Sequence, residues 1–166
     1  MNRSIVNALS VSRILFGFFF LIAVILDYNI AWLIIIFALA ILSDIMDGYL
    51  AKKHDLIVDN GSKIDVICDF LFIIFSTFAV VWIDLAPAWF LLVIILKLVE
   101  FFVTSGKGAL KYDRFGTFVA YMFYAFPIVA MLINSKNITL VLTIIITICA
   151  ITSSLLRIKN TRESND

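Results

Sequence analysis

The chain has 166 residues, of which 63% are hydrophobic and 15% are charged, and its mean hydropathy is +1.10. A soluble domain is about 45–50% apolar and about 25% charged, so this composition excludes an ordinary soluble protein, whose core could not bury so many apolar side chains. The net charge of +1 excludes nothing by itself. We therefore predict a polytopic membrane protein with a single domain over residues 1–166.

Six apolar runs follow one another along the chain. A spanning helix needs about 20 mostly apolar residues, and short polar segments divide the sequence into spans of roughly 8–26, 31–52, 61–83, 87–106, 115–134 and 138–157. The runs are apolar on every face, whereas the strands of a membrane barrel alternate in hydropathy. The predicted fold class is therefore all-α, with six transmembrane helices.

The positions of Lys and Arg predict the orientation of these helices. One set of helix ends carries eleven of the thirteen basic residues, namely Arg3, Arg13, Lys52, Lys53, Lys63, Lys107, Lys111, Arg114, Arg157, Lys159 and Arg162. Lys136 lies at the other set, and Lys97 lies within the fourth span. Since basic residues accumulate on the cytoplasmic side, we expect both termini to be cytoplasmic in a multi-pass protein of the cell membrane.

Four carboxylates interrupt the apolar pattern near the cytoplasmic ends of the second and third spans. Asp44 and Asp47 are three residues apart, and Asp65 and Asp69 are four apart, so each pair lies on one face of a helix. Because the loop between these spans is short, we expect the two helices to be antiparallel neighbours. All four carboxylates are then expected to converge at the cytoplasmic side.

Such a cluster is costly within a membrane and marks a functional site. Four negative charges would repel one another strongly, so either some are protonated or cations lie between them. Mg²⁺ takes oxygen ligands from carboxylates and phosphates, and two metal ions acting on a diphosphate are the chemistry that suits this set best. Gly48 and Ala51 lie on the same helical stripe as Asp44 and leave room for a ligand to approach the backbone.

The same segment resembles a family signature. Asp44-Ile-Met-Asp47-Gly48-Tyr-Leu-Ala51-Lys52, eight further residues, then Gly61, Asp65 and Asp69 are similar to the pattern D-x₂-D-G-x₂-A-R-x₈-G-x₃-D-x₃-D of the CDP-alcohol phosphotransferases. Only Lys52 departs from it, since the family has Arg there. Arg offers a planar fork to phosphate and Lys a point charge, so we expect altered nucleotide affinity and retained function.

The resemblance implies a role for each matching residue. Asp44, Asp47 and Asp65 would ligate one Mg²⁺, and Asp44, Asp65 and Asp69 a second, with Mn²⁺ as a possible substitute. Asp69 would also be the general base that deprotonates the acceptor hydroxyl. An N-terminal stretch with Asn7, Ser10 and Arg13 is similar to the family's N-x-L-T/S-x-x-R. Together with residues of the signature, it would lie near the nucleotide: Gly48, Ala51, Lys52, Gly61, Asn7, Ser10 and Arg13.

The implied reaction transfers a phosphatidyl group, or another substituted phosphate group, from a CDP-diacylglycerol-type liponucleotide to a small hydroxyl acceptor and releases CMP. The nucleotide head needs water and metal while the acyl tails stay among lipid, which explains a site at the membrane surface. The implied partners are the lipid bilayer and a second copy of the chain in a homodimer. No nucleic acid is expected.

The acceptor is less constrained by the sequence. Glu100-Phe-Phe-Val-Thr104 followed by Lys107 resembles the R-E-F-x-V-T/S-x-x-R segment of phosphatidylglycerophosphate synthases, although Val99 and Lys107 replace the two Arg residues. A basic cluster follows the fourth span and either reflects membrane topology or cradles a phosphorylated acceptor: Lys107, Lys111 and Arg114. These features favour glycerol 3-phosphate and leave serine and inositol phosphate open.

Glu100 itself has two interpretations. It lies three residues after Lys97 within the fourth span, so the two charges either neutralise each other or leave Glu100 to position the acceptor.

Two other classes of protein use similar carboxylates. Intramembrane prenyltransferases also bind a diphosphate through Asp-rich motifs and Mg²⁺, but they are usually larger and carry two such motifs, whereas this chain has one. A divalent-cation transporter or channel subunit needs carboxylates near mid-membrane with access to both sides. In this sequence no acidic residue faces the four from the opposite end.

Overall fold

The computed structural model describes the backbone of residues 3–53, 59–105 and 114–163, and the side chains of residues 11–46, 49, 65–103 and 115–157. Within these ranges the regular structure is entirely α-helical, which confirms the predicted class. The helices are α1 (Arg3–Ile25), α2 (Ile30–Lys53), α3 (Asp59–Trp82), α4 (Trp89–Ser105), α5 (Arg114–Ile133) and α6 (Lys136–Glu163). Each helix corresponds to one predicted apolar run. α6 extends furthest beyond its predicted span, because the prediction followed apolar residues and the last turns of α6 are polar.

Polar residues between the apolar runs form the helix ends. Asp27, Asp84 and Asn134 follow α1, α3 and α5 with φ angles of 54°, 60° and 46°, the left-handed conformation that closes a helix C-terminus. At the end of α1, Tyr28 N–H donates to Ala23 C=O at 2.9 Å and Asp27 N–H donates to Val24 C=O at 3.1 Å. This pair of hydrogen bonds is a Schellman motif, so these breaks are built into the local sequence.

Three of the helices are long and apolar enough to cross a membrane, as far as the described residues show: Asp65–Trp82, Phe115–Ile133 and Lys136–Arg157. Val11–Ile25 and Ile30–Met46 are shorter apolar segments. Ile144, Ile148 and Leu155 on α6 are 43%, 58% and 64% exposed, which suits contact with lipid better than contact with water. The helices support an integral membrane protein, whereas six spans and cytoplasmic termini stay predictions.

The chain divides into two compact units, residues 1–83 and 84–166. In the first unit α1 packs against both α2 and α3. Arg13 contacts Asp44 of α2, and Phe20 packs edge-on against Phe37 further back along α2, so α1 and α2 run antiparallel. Phe18 packs against Phe75 of α3, further along α3 than the Asp69 that Arg13 contacts, so α1 and α3 run in the same direction.

The expected pairing of α2 with α3 needs correction. Their backbones do not pack closely along their lengths in the described part of the chain, because α1 is the helix that packs against each of them. The two helices still run antiparallel, and Phe37 and Phe72 meet with ring centroids 5.6 Å apart. In the described part of the chain, α2 and α3 are thus antiparallel as expected, but each packs mainly against α1.

Gly17 allows the close approach of α1 to α3. A Cβ atom at this position would lie 3.0 Å from the Cα of Phe72 and 3.3 Å from the Cβ of Phe75. The nearest atom belongs to backbone, which cannot rotate away as a side chain can. The small residue therefore sets the distance between the two helices that carry Arg13 and Asp69.

Substitution of Gly17 by Leu is expected to lower the free energy of unfolding by about 1–3 kcal/mol, the usual cost of overpacking a core. Urea or SDS titration of the protein in detergent measures this loss. Ala38→Leu on α2 is the matched control, because Ala38 is exposed and the added side chain meets no packed backbone. Equal stability of the two variants would contradict the role of Gly17 in packing.

The second unit is arranged around α6, which packs against α4 and α5. Phe90 of α4 is fully buried, and its ring centroid lies 4.7 Å from that of Phe126 and 5.9 Å from that of Phe123. At the start of α6, Lys136 forms an exposed ion pair with Asp84. The basic residue that departs from the predicted charge bias is thus paired with a carboxylate.

Candidate active site

Three of the four predicted carboxylates converge in the first unit. Asp44 lies in the second half of α2, and Asp65 and Asp69 lie one turn apart in the first half of α3. One carboxylate oxygen from each of the three residues lies within 4.8 Å of the others. The structure therefore brings these side chains together as the spacing predicted, and we call Asp44, Asp65 and Asp69 the carboxylate centre.

Arg13 of α1 lies among these carboxylates. Its Nη1 donates to Asp44 Oδ1 at 2.7 Å and also to Asp69 Oδ1, and its Nη2 donates to Asp65 Oδ1. The Arg13 side chain is fully buried. The planar fork of a guanidinium suits such multiple contacts, so Arg13 connects α1 to both helices that carry the carboxylate centre.

The burial of the carboxylates differs from that of Arg13. The side chains of Asp44, Asp65 and Asp69 are 49%, 40% and 32% exposed, whereas Arg13 has no exposed surface. The guanidinium thus forms the inner side of the centre, and the carboxylates line its open side. The carboxylate side chains are therefore partly open to solvent, whereas the guanidinium is not.

The donor set of the centre fits a hard divalent cation. Three carboxylate oxygens at mutual distances within 4.8 Å are the kind of ligand that Mg²⁺ and Mn²⁺ prefer. Three ionised carboxylates carry three negative charges, one of which the Arg13 guanidinium offsets in this arrangement. The predicted fourth ligand, Asp47, belongs to α2, and its side chain lies outside the described residues.

Most predicted nucleotide and acceptor residues also lack described side chains. Several of them have a described helical backbone only, and these are Asn7 and Ser10 in α1, Gly48, Ala51 and Lys52 in α2, Gly61 in α3 and Arg114 in α5. Lys107 and Lys111 lie outside the described residues altogether. Their roles stay predictions.

Glu100 belongs to a partly buried polar cluster in the second unit. Its Oε2 lies 3.1 Å from Lys97 Nζ and accepts a hydrogen bond from Ser154 Oγ, and Lys97 Nζ donates to Ser153 Oγ at 3.1 Å. The Lys97 and Glu100 side chains are only 12% and 18% exposed. The predicted neutralisation of Glu100 by Lys97 is confirmed, and the pair fastens α4 to α6. A role of Glu100 in acceptor binding stays a prediction.

Two contacts were not anticipated from the sequence. The sequence predicts that Arg13 lies near the nucleotide, and nothing in its spacing indicates the contact with all three carboxylates. Ser153 and Ser154 were missed because α6 carries several hydroxyl residues, and their sequence gives no means of choosing among them.

Comparison with known proteins bears on the family of this chain. The family model of the CDP-alcohol phosphatidyltransferases matches residues 3–153. A Bacillus subtilis (strain 168) protein named CDP-diacylglycerol–glycerol-3-phosphate 3-phosphatidyltransferase is 40% identical over 71 residues, which are 43% of this chain and 36% of that protein. The alignment thus spans about a third of the length of the curated relative.

The fold and the site define the class of protein: a helical membrane protein with an accessible carboxylate centre. Since the family model covers most of the chain, this chain belongs to the CDP-alcohol phosphatidyltransferase family. The resemblance seen in the sequence is confirmed, and the transporter and prenyltransferase alternatives lose their support. The family is described as one of phosphatidyltransferases, and the carboxylate centre of this chain could hold a metal ion.

Proposed function

We propose that the protein transfers a phosphatidyl group from CDP-diacylglycerol, or a similar liponucleotide, to a small hydroxyl acceptor and releases CMP. The observation that carries this proposal is the convergence of Asp44, Asp65 and Asp69 in a chain that belongs to the family. We favour glycerol 3-phosphate as the acceptor because the Bacillus subtilis relative is named for it and because the sequence around Glu100 resembles the same enzymes. Serine and inositol phosphate are the alternatives.

In this proposal the carboxylates hold two Mg²⁺ ions. Asp44, Asp47 and Asp65 hold one, and Asp44, Asp65 and Asp69 hold the second; Mn²⁺ is a possible substitute. Bound metal neutralises charge on the diphosphate and makes CMP a better leaving group. The exposed side of the carboxylate centre supports the proposal, because a diphosphate needs access to the oxygens that hold the metal.

Asp69 is proposed as the general base. The acceptor hydroxyl loses its proton to Asp69, its oxygen forms a bond to the phosphorus of the phosphatidyl group, and the bond from that phosphorus to the oxygen of CMP breaks. CMP leaves with the bonding electron pair. Asp69 suits this role because it is the least exposed of the three carboxylates yet still reachable, at 32% side-chain exposure.

The remaining residues are proposed to bind the two substrates. Gly48, Ala51 and Gly61 leave space for the nucleotide, and Lys52 pairs with its diphosphate. Asn7, Ser10 and Arg13 lie on α1 near the same substrate. The acceptor is proposed to contact a basic and acidic set in the second half of the chain: Glu100, Lys107, Lys111 and Arg114.

The proposed location is the cell membrane, with six spans, both termini in the cytoplasm and the carboxylate centre on the cytoplasmic side. The charge bias of the sequence and the exposed Trp32, Trp82 and Trp89 near the predicted opposite ends support this orientation. A homodimer is proposed on the family resemblance alone.

An acceptor panel tests the proposed function. Purified protein in detergent is given CDP-diacylglycerol, Mg²⁺ and one of glycerol 3-phosphate, serine or inositol phosphate, and both CMP and the lipid product are measured. We expect CMP release with glycerol 3-phosphate and its loss in EDTA, because the carboxylates alone cannot neutralise the diphosphate. Absence of CMP with every acceptor would contradict the transferase function, and product formation with only another acceptor would correct the substrate.

A further inference from the structure

The buried position of Arg13 has a consequence for metal binding. Its guanidinium contacts Oδ1 of Asp44, Asp65 and Asp69, and these three residues offer the oxygens that would hold a cation. A metal ion bound by these residues would share their carboxylate charge with Arg13, because an ionised carboxylate can accept from a guanidinium and ligate a metal at the same time. The guanidinium and the metal ion therefore draw on the same three negative charges.

Electrostatic repulsion also disfavours the presence of both the Arg13 guanidinium and a metal ion in the centre. If the metal used other oxygens of the same carboxylates, a divalent ion and a guanidinium would lie a few ångströms apart, on the side of the centre where Arg13 is fully buried. Like charges repel strongly in a region of low dielectric constant. In either case, contact of Arg13 with the carboxylates lowers their affinity for metal.

Arg13 also counters the repulsion among the three carboxylates. Three carboxylates within 4.8 Å of one another would repel one another without a cation between them. Arg13 supplies that cation from α1 and keeps α2 and α3 together at this end. Since the carboxylates are 32–49% exposed, a metal ion can approach from outside while the guanidinium holds the inner side.

We infer that Arg13 is an internal cation that competes with divalent metal for Asp44, Asp65 and Asp69, so that its contact with these carboxylates lowers their affinity for metal. The inference rests on the proposed metal-dependent function and adds a regulatory contact to it. Arg13 counters the repulsion among the carboxylates and sets how tightly metal is held. A guanidinium released from the carboxylates is free to contact a phosphate group, for which its fork geometry is suited.

Direct Mn²⁺ binding tests this inference. The dissociation constant is measured by electron paramagnetic resonance on the detergent-solubilised protein, for the wild type and for Arg13→Gln. We expect Arg13→Gln to bind Mn²⁺ about 10- to 100-fold more tightly, the range that one or two charge-assisted hydrogen bonds represent. A dissociation constant in the variant that is unchanged or higher would overturn the inference, since Arg13 would then leave the metal unaffected or help to hold it.

Thermal stability supplies a second readout. In EDTA, Arg13→Gln should melt several degrees below the wild type, because three carboxylates lose their cation, and saturating Mn²⁺ should raise its Tm more than that of the wild type. If the Gln variant does not fold, Arg13→Lys is the second variant. Lys keeps the charge without the fork, so it should fold and show a smaller gain in Mn²⁺ affinity, whereas no gain would overturn the inference.

Two controls locate the effect. Arg157→Gln removes an Arg of the second unit that lies over the Phe101 ring at 5.3 Å, and its Mn²⁺ affinity should match the wild type. Asp44→Asn added to Arg13→Gln should remove the gain. If CMP is released but Arg13→Gln gains no Mn²⁺ affinity, the inference is wrong and the proposed function is supported. If the affinity gain is found but no acceptor gives CMP, the inference is supported and the proposed function is wrong.

Discussion

Asp69→Asn is expected to reduce CMP release by about 10²- to 10⁴-fold, the usual contribution of a general base. The amide keeps the shape of the carboxylate but cannot accept a proton. Asp69 is also a proposed metal ligand, so the loss should lie at the upper end of this range. The measurement is kcat with CDP-diacylglycerol and glycerol 3-phosphate in mixed micelles, at saturating Mg²⁺ and after size-exclusion chromatography has shown a folded variant.

Asp84→Asn is the matched control for this experiment. Asp84 is an exposed carboxylate that pairs with Lys136 and belongs to no proposed site, so its kcat should stay within about twofold of the wild type, as for most exposed positions. Mn²⁺ binding separates the two roles of Asp69, because a base that does not ligate metal can be removed without loss of affinity. Near wild-type turnover of Asp69→Asn would show that Asp69 is not the base.

Lys97→Met is expected to lower the free energy of unfolding by about 1–3 kcal/mol, the cost of leaving a partly buried charged group without its partner. Glu100 is 18% exposed and would keep its hydrogen bond from Ser154 but lose its cation. Chemical denaturation of the detergent-solubilised protein measures the loss. Met nearly matches the Lys side chain in length, so the lost charge dominates the effect.

The double variant Lys97→Met/Glu100→Leu distinguishes a lost pair from lost packing. Replacement of both partners by apolar residues leaves no buried charge, and it should recover most of the stability. A double variant as unstable as Lys97→Met would show that the pair is not the cause. Because the double variant should fold, its KM for glycerol 3-phosphate also tests the proposed contact of Glu100 with the acceptor, and an unchanged KM would contradict that contact.

The helices and their ends could be predicted from the sequence because both depend on local properties. Apolar runs of sufficient length form helices in a membrane, and residues such as Asp27 and Asn134 end them in a left-handed conformation. The packing of α1 against α2 and α3 could not be predicted in the same way. It depends on the space that Gly17 leaves beside Phe72, which is a contact between residues far apart in sequence.

The same distinction between local and long-range properties applies to the candidate site. The spacing of Asp44, Asp65 and Asp69 along two helices was enough to predict their convergence, since a helix repeats its faces every three or four residues. Neither spacing nor composition indicated that Arg13 reaches them from another helix. The serine partners of the Lys97 and Glu100 pair were equally hidden, because hydroxyl groups occur throughout α6.

The sequence by itself determined the all-helical class, the number of helices in the described chain and the family signature around the carboxylates. These follow from hydropathy and from residue spacing within single segments. Only the tertiary structure decided which cation lies between the carboxylates, because α1 must pack closely enough for the Arg13 side chain to reach α2 and α3. In the described part of the chain, the guanidinium of Arg13 lies among Asp44, Asp65 and Asp69.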